Sequence, residues 1–328
     1  MTLPDPASDH RLPPALRDLA GRARQAPVGA SPHAAACFGR CFADTWLTSM
    51  RPTADGDVFV TTGGIPAMWL RDSAARNIGV NGPGFHTDPT PGDFDGALAL
   101  TGRFTGGSFQ DVLVYWPSGP RPGLALVLAG DGSGGPLPGG GVHGHLTDWS
   151  GGNAPTQVVE GGNVSGRGTG LADLLGIAPN GSGGTSLTLY ASGWPPGAYG
   201  MSRPLTAPTP DGDRNWNDWT IASTELPAAG GGTSTALYLW KKSTGELTLW
   251  KDLAADPGTG TLTYRAFPVA TGWNTGADLT LQAADIDSDG TPDLWTLDGA
   301  GHVTADLVTG LGTGAPATVT EVAGTLAG

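Results

Sequence analysis

The feature that most limits what this chain can fold into is a pattern of strand pairs that returns at nearly equal intervals. The segments "DVLVYWPSGPRPGLALVLAG", "DLLGIAPNGSGGTSLTLYAS", "TALYLWKKSTGELTLW" and "DLWTLDGAGHVTADLV" begin at Asp111, Asp173, Thr235 and Asp293, steps of 62, 62 and 58 residues. Each holds two short runs of alternating apolar residues joined by Gly, Pro, Asn or Ser, which is how a hairpin reads. A unit this small cannot bury its own apolar face and must stack on its neighbours. Repetition at this length points to propeller blades rather than a sandwich. The expected fold is mainly β, with about four blade units; four is the low end for closure, so a closed and an incomplete ring both remain open.

Composition agrees with a turn-rich β chain. There are 55 Gly and 28 Pro among 328 residues, yet 11 Trp are spread along the sequence, which favours a packed fold over disorder. Charge is uneven. Residues 1–78 carry 8 Arg and 7 Asp, net +1, and the remainder carries 9 basic and 23 acidic side chains, net −14, which together give the −13 of the whole chain. Such a negative chain has no electrostatic route to phosphate backbones, so nucleic acid is excluded as a partner. No apolar run is long enough to span a membrane as a helix, and the N-terminus "MTLPDPASDHRLPPALRDLAGRARQ" lacks the apolar core of an export signal.

Helical signals are confined to the beginning. Prolines open "PPALRDLAGRARQ", and in "SPHAAACFGRCFADTWLTSM" Ser31 reads as an N-cap with Pro32 at the first helical position. Phe38, Phe42 and Thr45 or Trp46 then recur at helical spacing. Cys37 and Cys41, four apart on that segment, read as small apolar helix residues rather than a disulfide. The extended piece "DVFVTTGG" leads into "TTGGIPAMWLRDSAAR", a loop entering a helix. The boundaries expected are therefore a helical segment over 1–78, a linker over 79–92 and β repeats over 93–328.

The strongest chemical motif is "DIDSDGTPD". Asp285, Asp287, Asp289 and Asp293 occupy loop positions 1, 3, 5 and 9, Gly290 permits a sharp turn, and Thr291 offers its backbone carbonyl. Hard Ca²⁺ wants six to eight oxygens at short range, and alternating acids can converge to supply them. Without a cation, carboxylates so close would repel one another. These five residues are the expected metal ligands, with Ca²⁺ as the cofactor. The corresponding loops "RFTGGSFQD" and "NVSGRGTGLAD" keep the last Asp but few other acids and read as turns without metal; "DGDRNWNDW" has acids at the wrong spacing. His143, His145 and Asp148 form a weak triad in a glycine-rich loop, and "GSGGPLPGGG" and "NGSGG" read as turns or linker.

Two family resemblances follow from these residues. From about Asp93 to Val308 the chain resembles the FG-GAP or VCBS-type repeats of integrin-like β-propellers, carried by "TALYLWKKSTGELTLW" and "GADLTLQAADIDSDGTPDLW". The resemblance implies a Ca²⁺-binding structural or adhesive module and transfers no catalytic residue. It also implies an extracellular setting, which the missing export signal does not match. Earlier, "CFGRCFADTWLTSM" with "DGDVFVTTGGIPAMWLRDSAAR" resembles the N-terminal part of glycoside hydrolase family 125, exo-acting, metal-independent and inverting α-1,6-mannosidases with an (α/α)6 barrel. Gly63-Gly64 stands where that family commonly has Gly-Asp, so a carboxylate is missing.

What the second resemblance implies is substrate binding. Trp69 can stack on a pyranose face, while Arg71 and Asp72 can supply forked donors and paired acceptors to its hydroxyls. Arg71 and Asp72 can equally pair with each other at a helix start. An inverting glycosidase also needs an acid and a base about 6.5–9.5 Å apart. In the family these come from later barrel helices, and here β repeats begin first. The expected function is a non-catalytic, calcium-binding propeller module for a carbohydrate or protein surface, fused to a truncated α-mannosidase N-terminus. The alternative is an exo-α-1,6-mannosidase acting on α-mannosides.

Overall fold

The period of the sequence becomes four four-stranded antiparallel sheets. A computed structural model describes residues 46–49, 58–62, 65–69, 98–106, 111–119, 122–130, 136–147, 152–168, 170–193, 195–228, 232–285, 289–298, 303–312 and 316–324. A three-stranded sheet comes first, of β1 (Trp46–Ser49), β2 (Val58–Thr62) and β3 (Ile65–Trp69). The first blade is β4 (Leu98–Gly102), β5 (Asp111–Tyr115), β6 (Leu124–Gly130) and β7 (Pro136–His145). The second is β8 (Gln157–Gly162), β9 (Asp173–Pro179), β10 (Thr185–Ala191) and β11 (Met201–Pro204). The third is β12 (Trp219–Pro227), β13 (Thr233–Lys241), β14 (Glu246–Ala255) and β15 (Leu262–Ala270). The fourth is β16 (Leu279–Ala284), β17 (Asp293–Asp298), β18 (Val303–Thr309) and β19 (Thr318–Gly324). Each blade is a meander, so every strand pairs with its sequence neighbour, and the repeats seen in the sequence are the two middle strands of each.

The first strands β4, β8, β12 and β16 lie beside one another in chain order, and β1 packs against both β4 and β16. The arrangement is propeller-like, with the three-stranded sheet between the first and last blades. The helix expected to run through Trp46 is therefore replaced at its end by strand β1, and the loop expected at Ile65 is strand β3. Aromatic and β-branched residues in "WLTS", "VFVTT" and "IPAMW" favour this pairing over an isolated helix with no partner for its apolar face. The other expected helical residues, including Ser31, Cys37 and Cys41, lie outside the described ones. The part of the glycine string from Pro136 onward, expected as turn or linker, is in strand β7, the last of its blade, where one side has no ladder partner and Gly and Pro are tolerated.

Burial follows from stacking on both sides. Leu174 and Tyr190 pack toward the first blade with Leu113, Tyr115 and Phe104, whereas Leu175, Ile177, Leu187 and Leu189 pack toward the third with Trp216, Trp219 and Leu237. One blade later the alternation repeats: Leu237 and Leu239 face the second blade, while Tyr238 and Trp240 face Leu281, Leu294 and Val308 of the fourth. A period of two thus feeds two different cores from one strand. Strand β9 is apolar almost throughout for this reason, and its "DLLGIA" is entirely buried. Outer strands are not. β11 is half-buried to exposed, and β15 alternates, with Arg265 and Pro268 on its course, residues that discourage edge-to-edge pairing.

Candidate functional site

The acidic loop joins β16 to β17 at the start of the fourth blade. Its tight turn rests on Gly290 at φ +84°, a left-handed conformation that side chains other than glycine rarely adopt. Three carboxylates organise the backbone here. Asp285 Oδ2 accepts the Gly290 N–H at 3.1 Å, Asp289 Oδ1 accepts the Thr291 N–H at 2.6 Å, and Asp293 Oδ1 accepts the Val308 N–H at 2.8 Å. Asp293 is buried, Asp285 half-buried and Asp289 exposed, so the acids descend from solvent into the blade. Asp287 lies outside the described residues. Among the described residues no three His, Cys, Asp or Glu side chains are grouped to hold a metal ion.

The loop's negative field is felt next door. Tyr238, on β13, donates its hydroxyl hydrogen to the carbonyl of Pro292. Its phenol is held well above the ordinary range, first by burial and then by the Asp293 and Asp289 carboxylates. The donor set is all oxygen, hard and anionic, which fits a hard divalent cation.

The corresponding loops show what the recurrent last aspartate does without a cation motif. Asp111 Oδ2 accepts the Phe104 and Thr105 N–H groups at 2.8 and 2.7 Å, with the Thr105 hydroxyl at 3.0 Å from Oδ1. Asp173 accepts the Ser165 and Ser192 N–H groups, both at 2.8 Å. Asp111, Asp173 and Asp293 are all nearly inaccessible, at 1%, 0% and 1% exposure. Burying a carboxylate is costly unless N–H groups satisfy it; Asp111 and Asp173 thereby anchor the loop between the first two strands of their blades, and Asp173 and Asp293 also hold backbone N–H groups at or beyond the third strand. The sequence signal was their fixed place before an apolar run. In the third blade Thr235 takes this place, and a carboxylate comes instead from Glu225, directly across the ladder on β12.

The loop before β12, read as having acids at the wrong spacing, holds a cluster missed by sequence reasoning. Lys241 pairs with Asp211, and with Asp213 at 3.4 Å, while its ammonium stands 5.7 Å from the Trp219 ring centre. Burial opposes ionisation of Asp211, but hydrogen bonds from Lys241, Thr209 and the Asp213 amide outweigh it and lower its pKa to about 2. The ammonium supplies internally the positive charge that a cation would bring. Of the histidine triad, His145 is exposed on β7, and Asp148 lies outside the described residues.

Of the residues tied to sugar binding, Trp69 ends β3, where its backbone pairs with Val58 of β2. Arg71 and Asp72 lie outside the described residues. No described helix is long and apolar enough to cross a membrane. No curated protein matches the chain. Residues 31–78, which include all three strands of the first sheet and fall well short of half the chain, match the family model described as Metal-independent alpha-mannosidase (GH125).

Proposed function

We propose that the four-bladed part is a non-catalytic binding module of FG-GAP or VCBS type, stabilised by Ca²⁺ in the loop from Asp285 to Asp293. The observation carrying this reading is the acidic loop itself: it has the carboxylate spacing of a cation loop, and its negative field reaches the neighbouring blade through Tyr238. Asp285, Asp287, Asp289 and Asp293 would hold the ion with their carboxylates and Thr291 with its carbonyl. The ion would neutralise the acids and tie β16 to β17. The target is a carbohydrate or protein surface. In the test, a melting curve is recorded with Ca²⁺ and with a chelator. The melting temperature should fall on chelation, and Asp287→Ala should abolish the difference; identical curves for the unaltered chain would refute metal binding.

The match over 31–78 favours a second reading, in which the chain acts on α-mannosides. Trp69, Arg71 and Asp72 would contact the sugar. Mannose released from an α-1,6-linked mannobiose, and lost in Asp72→Ala, would support it. No release above blank at high protein concentration would remove it.

A further inference from the structure

We propose that Glu160 and Glu225 share one proton across the junction of the second and third blades, making this seam a latch that strengthens in mild acid. Glu160 is on β8 and Glu225 on β12, first strands of adjacent blades that pack side by side. Gly162 lies between the two carboxylates. Its N–H donates to Glu160 Oε1 at 2.8 Å, and a Cβ placed on it would stand 2.6 Å from Glu225 Oε1 and 2.8 Å from Thr235 Oγ1. Only a glycine, here at φ +55°, lets the acids close on the strand in this way.

The backbone around them is clamped across the same seam. The Ser223 hydroxyl donates to the Glu160 carbonyl at 2.5 Å and the Thr235 hydroxyl to the Gly161 carbonyl at 2.7 Å, while within the third blade the Thr233 hydroxyl donates to Glu225 Oε1 at 2.5 Å. Further along, Gln157 binds the third blade twice, donating to the Trp219 carbonyl at 2.7 Å and accepting the Ile221 N–H at 3.0 Å. The strands that carry the two carboxylates are therefore held together across the junction.

The surroundings are mostly acidic or neutral. Asp173 faces Glu160 from β9, and the Tyr199 phenol is influenced by Glu160, Asp173 and Asp111 together. From the first blade, Gly102 abuts the Glu160 stem, and Arg103 follows it, half-buried, with its carbonyl accepting the Ala172 N–H. Arg167, on the loop after β8, directs its guanidinium to the Ser192 carbonyl. Glu160 is only partly buried overall, yet loss of water from its carboxylate is the first cause that pushes its pKa well above the carboxylate range. Glu225 pushes further, the Gly162 amide opposes, and Asp173 adds a smaller push. With the folded pKa raised, folding takes up a proton. The stabilisation is complete below the ordinary carboxylate pKa and is lost as pH rises through the raised value.

The test follows the melting temperature of the full chain from about pH 5 to about pH 8, for the unaltered protein, Glu160→Gln, Glu225→Gln and the double variant. The unaltered melting temperature should fall as pH rises. Either single variant should raise it at the upper end and flatten the slope, and the double variant should add little to either single. A slope unchanged by Glu160→Gln, or strictly additive single effects, would overturn the shared proton. Should the variants fold poorly, infrared spectra of the unaltered chain decide: a protonated carboxyl band at neutral pH supports the latch, and its absence refutes it.

Discussion

Tyr238 of the third blade and Pro292 of the fourth are joined by a buried hydroxyl-to-carbonyl hydrogen bond, just ahead of Asp293. Tyr115 makes the same kind of link from the first blade to Pro155, ahead of the second, at 2.5 Å. Removing either hydroxyl leaves a buried carbonyl without that donor. Tyr238→Phe and Tyr115→Phe should each lower unfolding stability by about 1–2 kcal/mol, read as a shift in urea midpoint with little change in slope.

The buried aspartates should be far more sensitive than their position at loop ends suggests. Asp173→Ala strands the Ser165 and Ser192 amides inside the protein, and a loss of about 2–4 kcal/mol is expected. Asp173→Asn keeps one acceptor and should lose less. Equal losses in chemical denaturation would mean that charge, rather than amide capture, is what matters at this site.

Asp306 supplies a pH test independent of the Glu160 seam. It is buried on β18, and burial, opposed by the Trp273 indole N–H at 3.3 Å and aided by Glu321, raises its pKa to about 6. Its folded value exceeds its unfolded one, so its contribution is complete below the ordinary aspartate pKa and is lost as pH rises through about 6. Asp306→Asn should flatten the pH dependence of stability between those limits. An unchanged profile in denaturant titrations at several pH values would refute this.

Gly290 offers a test of the acidic loop that does not remove an acid. At φ +84° an alanine is strained, and Gly290→Ala should cost about 1–2 kcal/mol and weaken any Ca²⁺-dependent rise in melting temperature. Calorimetry with and without Ca²⁺ reads both effects.

The architecture was legible because stacking leaves a signature that a single sequence carries: alternation within strands, glycine turns between them and a constant interval. Asp111, Asp173 and Asp293 were visible as recurrent first residues, but their role as amide anchors was not, because it depends on distant N–H groups such as those of Ser192 and Val308. The Lys241 cluster escaped for a similar reason, since about thirty residues separate partners brought together only by β12 pairing with β13. Glu160 and Glu225 belong to different blades, and nothing local to either announces the other. Trp46 misled in the opposite direction: its helical spacing was real, but pairing with Thr61 on β2 gives it strand conformation.

The two-sided burial of the middle strands has a consequence for how this protein can change over generations. A substitution in β9 or β13 disturbs two interiors at once, because successive side chains answer to different neighbours. The outer strands carry no such double obligation; Met201, 57% exposed on β11, is the largest apolar side chain left in water among the described residues. New recognition surfaces can therefore arise at the circumference, by drift or insertion, while the interior repeats stay nearly unchanged.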